Sequence, residues 1–326
     1  MEHFLSCDWG TSSFRIRLID INNARILAEE NSGQGIAGTH TLWLEKDDPD
    51  GERKVSFYLN VIQQHVNKIE EKIGSSLSGL KLIVSGMASS TIGFINVPYK
   101  PVPLSTDGSG MGTASLTASK DFDHDVLIIS GIKTSQDVIR GEETQLIGCI
   151  GPNDFIKNEL YIFPGTHSKH ILVKDNQVVD FKTFMTGEVF ELLSQNSILK
   201  SAVEFERAQI INPDFSRFIT GIKDAISLNI LNAAFKVRIN QLFNSATGRD
   251  NYNYLSGLLI GTELKDLKNV DADAINLICG SNLEKYYRIG LQTIGFSNIK
   301  LFPPGWVDEA TVRGHVKIGK QLKILA

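Results

Sequence analysis

Two short, polar segments that contain glycine are the parts of this chain best suited to chemistry. The first reads Asp8-Trp9-Gly10-Thr11-Ser12-Ser13-Phe14-Arg15, and a looser second copy reads Pro164-Gly165-Thr166-His167-Ser168-Lys169. Each follows an apolar run and precedes an alternating run that reaches an asparagine-containing turn, and about half of the chain separates the two glycines. This pattern predicts two related domains, each presenting a β-hairpin with a small, polar turn.

Turns of this composition are suited to binding phosphate. Glycine lets the backbone approach a ligand closely, and the neighbouring residues offer N–H groups and hydroxyls with little bulk. One copy alone would be equally well explained as an ordinary hairpin turn, but two copies at domain spacing favour a polyphosphate held from both sides. The predicted phosphate-binding residues are Gly10, Thr11, Ser12 and Ser13 in loop 1, and Gly165, Thr166, His167 and Ser168 in loop 2.

Two charged residues flank the first turn. Asp8 ends the apolar strand, where a carboxylate can hold Mg²⁺ directly or through water. Arg15 lies just beyond the turn and could neutralise phosphoryl charge.

The run Arg140-Gly141-Glu142-Glu143-Thr144-Gln145-Leu146-Ile147-Gly148 places two carboxylates behind a glycine at the start of a predicted helix. Acidic residues favour the first helical turn in any protein. The position just before the second phosphate loop nevertheless favours a general base, which would be Glu142 or Glu143. Asp137, slightly upstream, is a third candidate.

A strand, a Gly-Ser turn and a helix start follow one another at Cys279-Gly280-Ser281-Asn282. The N-terminus of a helix is a docking point for anions, so Gly280 and Ser281 are candidate nucleotide contacts, although a plain serine N-cap would look the same. Gly257 and Gly261 lie four residues apart on a predicted helix, where they could admit a flat ring or a close-packed neighbouring helix.

The composition is that of a globular protein with a core: 326 residues, 42% hydrophobic and 21% charged. The net charge of −4 gives no electrostatic footprint for nucleic acid or an anionic membrane. No stretch has the roughly 20 apolar residues that cross a bilayer, and the N-terminus has no signal-peptide pattern. Cys7, Cys149 and Cys279 lack metal-binding spacing, which predicts buried thiols in a reducing, cytoplasmic setting.

Hydrophobic periodicity predicts an α/β protein in which a three-strand meander followed by alternating helices and strands occurs twice. In the first half we predict strands near 4–8, 14–20, 24–30, 81–86 and 125–131, helices over 53–73 and 142–150, and loops over 33–51 and 105–113. In the second half we predict strands near 159–163, 169–174, 178–184, 274–279 and 299–302, and helices from 187, within 203–244, and over 254–267, 282–294 and 309–325.

Together these segments resemble the actin-like ATPase superfamily, which includes sugar kinases. More specifically, they resemble the 2-dehydro-3-deoxygalactonokinase family. The strings that carry this likeness are Asp8–Thr11, Arg140–Gly148, Pro164–Lys169, Met185-Thr186-Gly187-Glu188 and Leu255-Ser256-Gly257-Leu258-Leu259-Ile260-Gly261, with Ser85-Gly86-Met87, Val97-Pro98-Tyr99 and Val102-Pro103 in the first half. The run from Arg140 to Gly148 is the most specific, whereas Gly280-Ser281 is a degenerate form of the adenosine motif.

The resemblance implies two actin-like (ribonuclease H-like) domains, each a mixed five-stranded sheet with helices, and ATP and substrate in a cleft between them. The expected division is 1–150, with loop 1 and much of the sugar-acid site, and 151–308, with loop 2 and the adenosine site. A C-terminal helix of about 309–326 is placed to pack back on the first domain.

The implied activity is ATP- and Mg²⁺-dependent phosphorylation of a small 2-keto-3-deoxy sugar acid, 2-dehydro-3-deoxy-D-galactonate, at its 6-hydroxyl, in galactonate catabolism. In this scheme Asp8 anchors Mg²⁺, Arg15 stabilises the transferring group, and Glu142 or Glu143 accepts the proton. Lys100, Lys133 or the backbone after Gly86 would bind the substrate carboxylate. Sugar-kinase relatives are often dimers, so a homodimer is compatible with the sequence. The alternatives are another small sugar or sugar acid as acceptor, an ATP-driven switch without a sugar substrate, or an inactive sugar sensor.

Overall fold

The computed structural model describes residues 2–46, 51–151, 154–204, 214–243 and 246–325. Its β-strands are β1 (His3–Trp9), β2 (Phe14–Asp20), β3 (Arg25–Ser32), β4 (Leu82–Gly86), β5 (Lys100–Pro101), β6 (Leu104–Ser105), β7 (Thr113–Leu116), β8 (Val126–Ile129), β9 (Ile132–Lys133), β10 (Val138–Ile139), β11 (Asn158–Phe163), β12 (Ser168–Lys174), β13 (Gln177–Phe184), β14 (Ala274–Leu277) and β15 (Ile299–Leu301). Its α-helices are α1 (Ile36–Leu44), α2 (Gly51–Ile73), α3 (Glu142–Cys149), α4 (Thr186–Asn196), α5 (Ser216–Ser227), α6 (Ile230–Phe243), α7 (Gly248–Leu264), α8 (Ser281–Thr293) and α9 (Pro304–Gln321).

The chain forms two compact units. Unit 1 contains residues 1–156, 175–180 and 305–326, and unit 2 contains residues 157–174 and 181–304. The final helix α9 therefore belongs to unit 1, as does the short segment 175–180, whose Gln177 and Val178 pair antiparallel with β6.

Unit 1 is built on a mixed sheet in the order β3-β2-β1-β4-β8-β7. Strand β1 is antiparallel to β2 and parallel to β4, which is in turn parallel to β8. Each residue of β4 is buried, as expected for a parallel strand that is covered on both faces of the sheet. Because β1, β4 and β8 run in the same direction, their carboxyl ends meet at one edge of the sheet.

Helices α1 and α2 cover one face of this sheet. The predicted spacing of apolar residues on α2 is confirmed, since Tyr58, Ile62, Val66 and Ile69 are all buried in the core. Trp9 at the end of β1 packs edge-on against Phe14 at the start of β2, with ring centroids 5.0 Å apart. The hairpin that carries loop 1 is thus anchored in the core on both of its sides.

Helices α3 and α9, both in unit 1, approach each other so closely that two glycines are required. A Cβ atom on Gly148 of α3 would lie 1.9 Å from the carbonyl oxygen of Ala310 on α9. A Cβ atom on Gly314 of α9 would lie 2.1 Å from the carbonyl oxygen of Thr144 on α3. The last glycine of the run from Arg140 to Gly148 therefore has a packing role, which fixes the helix that begins with Glu142.

Unit 2 repeats the topology. Its strands follow the order β13-β12-β11-β14-β15, with β11 antiparallel to β12 and parallel to β14. The order β3-β2-β1-β4-β8 in unit 1 is equivalent. In both units the three strands of the meander lie side by side, and two later strands continue the sheet beside the first strand of the meander. The predicted fold class of two ribonuclease H-like α/β units is confirmed, but each sheet has six strands rather than the predicted five. Strand β7 is added at the edge of the first sheet, and β6 pairs with β13 at the edge of the second.

Several elements differ from the prediction, which did not include the two-residue strands β5, β6, β9 and β10. Helix α1 lies in the segment predicted as a loop. The glycines of this segment favoured a loop in the prediction, but a short helix forms there with Ile36, Thr39 and Trp43 on its buried side. Strand β7 also went unpredicted, since it has only four residues and alternates between exposed and half-buried.

Helix α7 starts six residues earlier than predicted, at a capping box formed by Thr247 and Asp250. Helix α9 starts at Pro304, a residue type suited to the first helical turn, rather than at 309. Part of the predicted helical region 203–244, namely residues 205–213, lies outside the described residues.

The contact between α3 and α9 predicts a specific cost for Gly148→Ala. The added methyl group meets backbone rather than a movable side chain, so the helices must separate. We expect the free energy of unfolding to fall by roughly 1–3 kcal/mol, measured by urea denaturation. Gly38→Ala on α1 is the matched control, because a Cβ there meets nothing within 4 Å. Equal stability of the two variants would contradict the packing role of Gly148.

Candidate active site

Loop 1 of unit 1 is held by the N-terminus of α1. The carbonyl oxygens of Gly10 and Thr11 accept hydrogen bonds from Ile36 N (2.9 Å) and Ala37 N (3.0 Å). Gly35 allows this contact, because a Cβ atom there would lie 2.3 Å from the Thr11 carbonyl oxygen. The N-terminus of α1 therefore holds loop 1 through hydrogen bonds to the carbonyl groups of the loop.

The hydroxyl-bearing residues of loop 1, which are Thr11, Ser12 and Ser13, are exposed. Among the described residues, no protein acceptor takes the backbone N–H of Thr11 or Ser12. The loop thus presents backbone donors and hydroxyls to solvent, which is the chemistry required for an anion.

Asp8 lies at the end of β1, directly across from Arg15 of β2 in the antiparallel register. Burial raises the pKa of Asp8, the nearby charges of Arg15 and Arg17 lower it, and the charge of Glu142 raises it. Arg15 is exposed, and its Nε donates to Asn31 Oδ1 at 3.0 Å. The structure therefore brings together Asp8, Arg15 and Glu142, three residues that the sequence singled out.

Arg17 is a neighbour of this group that the sequence analysis did not select. It is buried, its Nε pairs with Glu29 Oε2 at 3.1 Å, and one terminal nitrogen donates to the Asp308 carbonyl at 2.8 Å. The alternating pattern of β2 could have indicated it, because Arg17 is two residues after Arg15 and so shares its face of the sheet.

Two glycines bring the start of α3 next to Asp8. Gly86, at the end of β4, has φ = +84°, and a Cβ atom there would lie 2.7 Å from the Trp9 carbonyl oxygen and 3.4 Å from Asp8 Oδ1. Gly141 has φ = +114°, and its Cβ would lie 3.6 Å from the Cα of Gly86. Both positions favour glycine for conformation as well as for space.

The two adjacent glutamates have different environments. Glu143 is buried, and its carboxylate accepts the Gly141 N–H at 2.7 and 2.9 Å and the Thr144 hydroxyl at 3.1 Å. Burial, and secondarily the charge of Glu142, raise the pKa of Glu143 to about 7. Glu142 is half-buried. Glu143 therefore fixes the turn before α3, and Glu142 is the more accessible carboxylate.

Arg140 holds the other side of the same turn. Its guanidinium donates to the carbonyl oxygen of Ser89 at 2.6 Å and lies 4.1 Å from the centre of the Tyr99 ring. The segments around Ser85 and Tyr99, singled out in the sequence, are thereby connected to the start of α3.

The remaining acidic and basic candidates of unit 1 lie in or beside a small separate sheet, β10-β9-β5. Lys100 is on β5 and Lys133 on the neighbouring β9, and both are exposed. Asp137 lies in the turn between β9 and β10, where its Oδ1 accepts the Val138 N–H at 2.7 Å. Asp137 is not among the charges that shift the pKa of Asp8.

Loop 2 of unit 2 contacts the N-terminus of α4. The Thr166 carbonyl oxygen accepts hydrogen bonds from Gly187 N and Glu188 N, both at 3.1 Å. The exposed ring of His167 lies 2.5 Å from the Glu188 carboxylate, measured from Nε2 to Oε2. The Met185–Glu188 string is thus adjacent to loop 2, as loop 1 is adjacent to α1.

A largely apolar cavity of about 110 Å³ lies beside loop 2, within unit 2. The residues that line it are Gly165, Thr186, Gly187, Phe190, Tyr252, Ser256, Leu259, Ile260, Leu283 and Tyr287. Leu283 belongs to the first turn of α8, the helix that starts at Ser281 with Gly280 as its N-cap. The predicted adenosine motif is therefore beside this cavity.

Gly257 and Gly261 face away from this cavity and toward α5. A Cβ atom on Gly257 would lie 2.0 Å from the Phe218 carbonyl oxygen, and one on Gly261 would lie 2.9 Å from Ala225 and Ile222. The structure gives both glycines a helix-packing role, and their neighbours Ser256, Leu259 and Ile260 line the cavity instead. Periodicity shows only that glycines four apart share one face of a helix, and not which neighbour that face meets.

Comparison with known proteins identifies the family. Residues 8–318 match the model of the family described as 2-keto-3-deoxy-galactonokinase. The chain belongs to this family of sugar-acid kinases. Membership confirms the resemblance seen in the motifs and implies the use of ATP and a sugar acid.

Individual relatives agree with this assignment. The chain is 31% identical to the 2-dehydro-3-deoxygalactonokinase of Escherichia coli over 66% of this chain and 71% of the relative. It is 30% identical to a Rhizobium meliloti protein named as a probable 2-dehydro-3-deoxygalactonokinase, over 90% of each chain. A crystal structure of a candidate enzyme of the same name from Sinorhizobium meliloti is 27% identical, with a TM-score of 0.78 over 98% of this chain and 99% of that one.

Three further features of the structure concern metal ions, membranes and thiols. Within the described ranges, no group of three or more His, Cys, Asp or Glu side chains is arranged to hold a metal ion. In the same residues, no helix combines the length and the apolarity that a membrane span requires. The three cysteines are buried, as predicted.

The raised pKa of Glu143 predicts how stability depends on pH. Because the folded state holds the proton up to pH about 7 and an unfolded glutamate releases it near 4.5, this group's stabilising contribution is complete below 4.5 and is lost as pH rises through 7. Glu143→Gln removes that dependence. The free energy of unfolding of the wild type, relative to the variant, should fall by roughly 3 kcal/mol between pH 4 and pH 8. Parallel curves for the two proteins in urea titrations would contradict this.

Proposed function

We propose that this chain transfers the γ-phosphoryl group of ATP to the 6-hydroxyl of 2-dehydro-3-deoxy-D-galactonate, in the galactonate branch of galactose catabolism. The family and the E. coli relative support the acceptor. The observation that carries the chemistry is the grouping of Asp8, Arg15 and Glu142 around Gly86 and Gly141 in unit 1.

Asp8 is suited to anchoring Mg²⁺ together with the phosphates of ATP. Mg²⁺ is usually held by one or two carboxylates plus substrate phosphates rather than by a cage of protein ligands. A single half-buried carboxylate beside loop 1, with no larger acidic cluster in the described residues, fits that requirement. The bound ion would neutralise charge on the phosphate oxygens.

The remaining parts position the nucleotide and stabilise its charge. The N–H groups and hydroxyls of loop 1 and the backbone N–H groups of Thr166 and His167 in loop 2 would bind the β- and γ-phosphates, and Arg15 would offset the charge that spreads over the transferring group. The predicted contacts from Ser168 and the Gly165 N–H are not available, because Ser168 is buried against Tyr287 and its hydroxyl accepts the Gly165 N–H. The apolar cavity beside loop 2 offers the rings of Phe190 and Tyr252 to the adenine base. Gly280 and Ser281, at the N-terminus of α8, would complete the adenosine site.

Glu142 is the proposed general base. The acceptor oxygen attacks the γ-phosphorus, ADP leaves, and the hydroxyl proton passes to a carboxylate. Glu142 is more accessible than Glu143, and it is close enough to Asp8 for its charge to raise the pKa of Asp8. Both oxygens of Glu143 already accept the Gly141 N–H, so Glu143 serves to hold the turn.

The acceptor is tested by measuring ADP release with Mg²⁺ and a panel of acids. We expect turnover with 2-dehydro-3-deoxy-D-galactonate to exceed turnover with its C4 epimer and with simple hexoses. Faster turnover of a different sugar acid would keep the kinase and change the acceptor. ATP hydrolysis that no acid stimulates would instead favour a switch-type ATPase, and the absence of both would favour a sensor.

The choice of base is tested by comparing Glu142→Gln with Glu143→Gln. Glu142→Gln should lower kcat by roughly 10²–10⁴-fold with little change in the KM for ATP, because only proton transfer is removed. Glu143→Gln keeps the volume of the side chain and should lose much less. The reverse order would exchange the two roles, and a small loss in both would move the assignment to Asp137.

Asp8→Ala should abolish phosphoryl transfer and leave the fold intact. Burial raises the pKa of Asp8, so its charged form is held at a cost to the folded state. The melting temperature of the variant should therefore equal or exceed that of the wild type while its activity is lost. Retention of most activity would remove Asp8 from the mechanism.

A further inference from the structure

A buried carboxylate behind loop 2 is not accounted for by the roles above. Glu263, near the end of α7, is 2% exposed. Its Oε1 lies 2.9 Å from His170 Nε2, and its Oε2 accepts hydrogen bonds from the hydroxyls of Tyr287, at 2.8 Å, and Thr186. Buried carboxylates need such partners, and here the three partners come from β12, α8 and α4.

The hydrogen bonds from Glu263 continue into loop 2 in a fixed direction. Burial and the charge of Glu263 raise the pKa of Tyr287 well above its usual value, so the phenol keeps its proton. The Tyr287 hydroxyl donates its one hydrogen to Glu263. It therefore accepts a hydrogen bond from Ser168 Oγ, which lies 2.9 Å away. Ser168 Oγ then accepts the Gly165 N–H at 3.3 Å.

This chain of bonds fixes both ends of loop 2. Ser168 is buried and Gly165 is half-buried, whereas the intervening Thr166 and His167 are exposed. Among the described residues, no protein acceptor takes the backbone N–H of Thr166 or His167. The conformation that leaves these two donors available to an anion is therefore the one that the bonds to Ser168 and Tyr287 select.

The same bonds reach the cavity beside loop 2. Gly165, Thr186 and Tyr287 line that cavity, but Glu263 does not. Glu263 therefore does not contact a molecule in the cavity, but it orients residues that do.

We propose that Glu263 is a positioning residue for nucleotide binding, acting through Tyr287 and Ser168 on loop 2 and through Thr186 on the adjacent cavity. The proposal rests on the proposed function in one respect, namely that loop 2 contacts the phosphates of ATP. It predicts that loosening the Glu263 cluster weakens nucleotide binding while the steps that depend on unit 1 are preserved.

Tyr287→Phe is the sharpest test, because it removes one hydroxyl and keeps the ring. Glu263 then loses one donor, and Ser168 loses the acceptor that orients it. We expect the Kd for ADP, measured by titration calorimetry, to rise roughly 10-fold, as for the loss of a buried hydrogen bond to a charged group. The KM for ATP should rise in parallel, and kcat at saturating ATP and the KM for the keto acid should stay near the wild-type values.

Tyr254→Phe is the matched control in the same unit. Tyr254 is also buried and donates to a carboxylate, Asp224 Oδ2, at 2.7 Å, but it does not line the cavity. Its hydroxyl also lies 3.2 Å from the Ala233 carbonyl oxygen, so both of its partners are outside loop 2. Both variants should lose stability to a similar degree, whereas only Tyr287→Phe should weaken ADP binding. Equal ADP affinities of the two variants would show that the Glu263 cluster is only structural and would overturn the proposal.

Glu263→Gln provides a second, independent measurement. It should reproduce the weaker ADP binding, and combining it with Tyr287→Phe should add less than the sum of the two effects, because both break one chain of bonds. Simple additivity would contradict the proposed chain. Since ADP binding is measured without an acceptor, an incorrect acceptor leaves this test intact. Absence of ADP binding by the wild type would overturn both this proposal and the proposed kinase function.

Discussion

The close approach of three backbone segments at the carboxyl edge of the first sheet is the constraint on which the site depends. Strands β1 and β4 run parallel, so Asp8 and Gly86 finish at the same edge. Gly86 and Gly141 then bring the start of α3 against them, in conformations and spaces that favour glycine. Any side chain at Gly86 would meet the Trp9 carbonyl and approach the Asp8 carboxylate. The distance between the candidate base and the candidate metal ligand is therefore set by backbone contacts rather than by flexible side chains.

This arrangement places acidic groups where burial opposes their ionisation. The pKa values of Asp8 and Glu143 are both raised by burial, and Glu142 raises both further. Arg15 and Arg17 offset part of that effect at Asp8, and the Gly141 N–H offsets part of it at Glu143. Packing elsewhere has to compensate for the remainder, and the close contact of α3 with α9 through Gly148 and Gly314 is suited to that role. A site that destabilises its own unit is common where a charge must be ready to react.

Much of this could be predicted from the sequence, because the relevant signals are local. The strands that carry loops 1 and 2, the helix start at Glu142 and the duplication were all readable from apolar runs, turns and periodicity. The features that could not be predicted depend on which face of a helix or strand packs against which neighbouring element. From the sequence alone, Gly257 and Gly261 fit a ligand site and a helix contact equally well. Only the position of α5 decides between these two roles. Glu263 and Tyr287 gave no signal, since a lone glutamate and a lone tyrosine on separate helices show no pattern until the fold brings them to Ser168.

The shared topology of the two units also leaves their loops chemically different. The topology of the two sheets is the same, and both loops are tied through a carbonyl to a following helix, α1 in unit 1 and α4 in unit 2. The residue two positions before the loop glycine is Asp8 in the first copy and the buried Phe163 in the second. Unit 1 therefore places a carboxylate on the strand that leads into its loop, whereas the strand that leads into loop 2 ends in an apolar residue. The carboxylates near loop 2 belong to helices: Glu188 of α4 pairs with His167, and Glu263 of α7 is buried behind the loop. Under the proposed function, Asp8 would serve a cation and its bound phosphates, whereas loop 2 would bind phosphate through backbone N–H groups. The two loops thus differ in the residue that ends the preceding strand, within two copies of one topology.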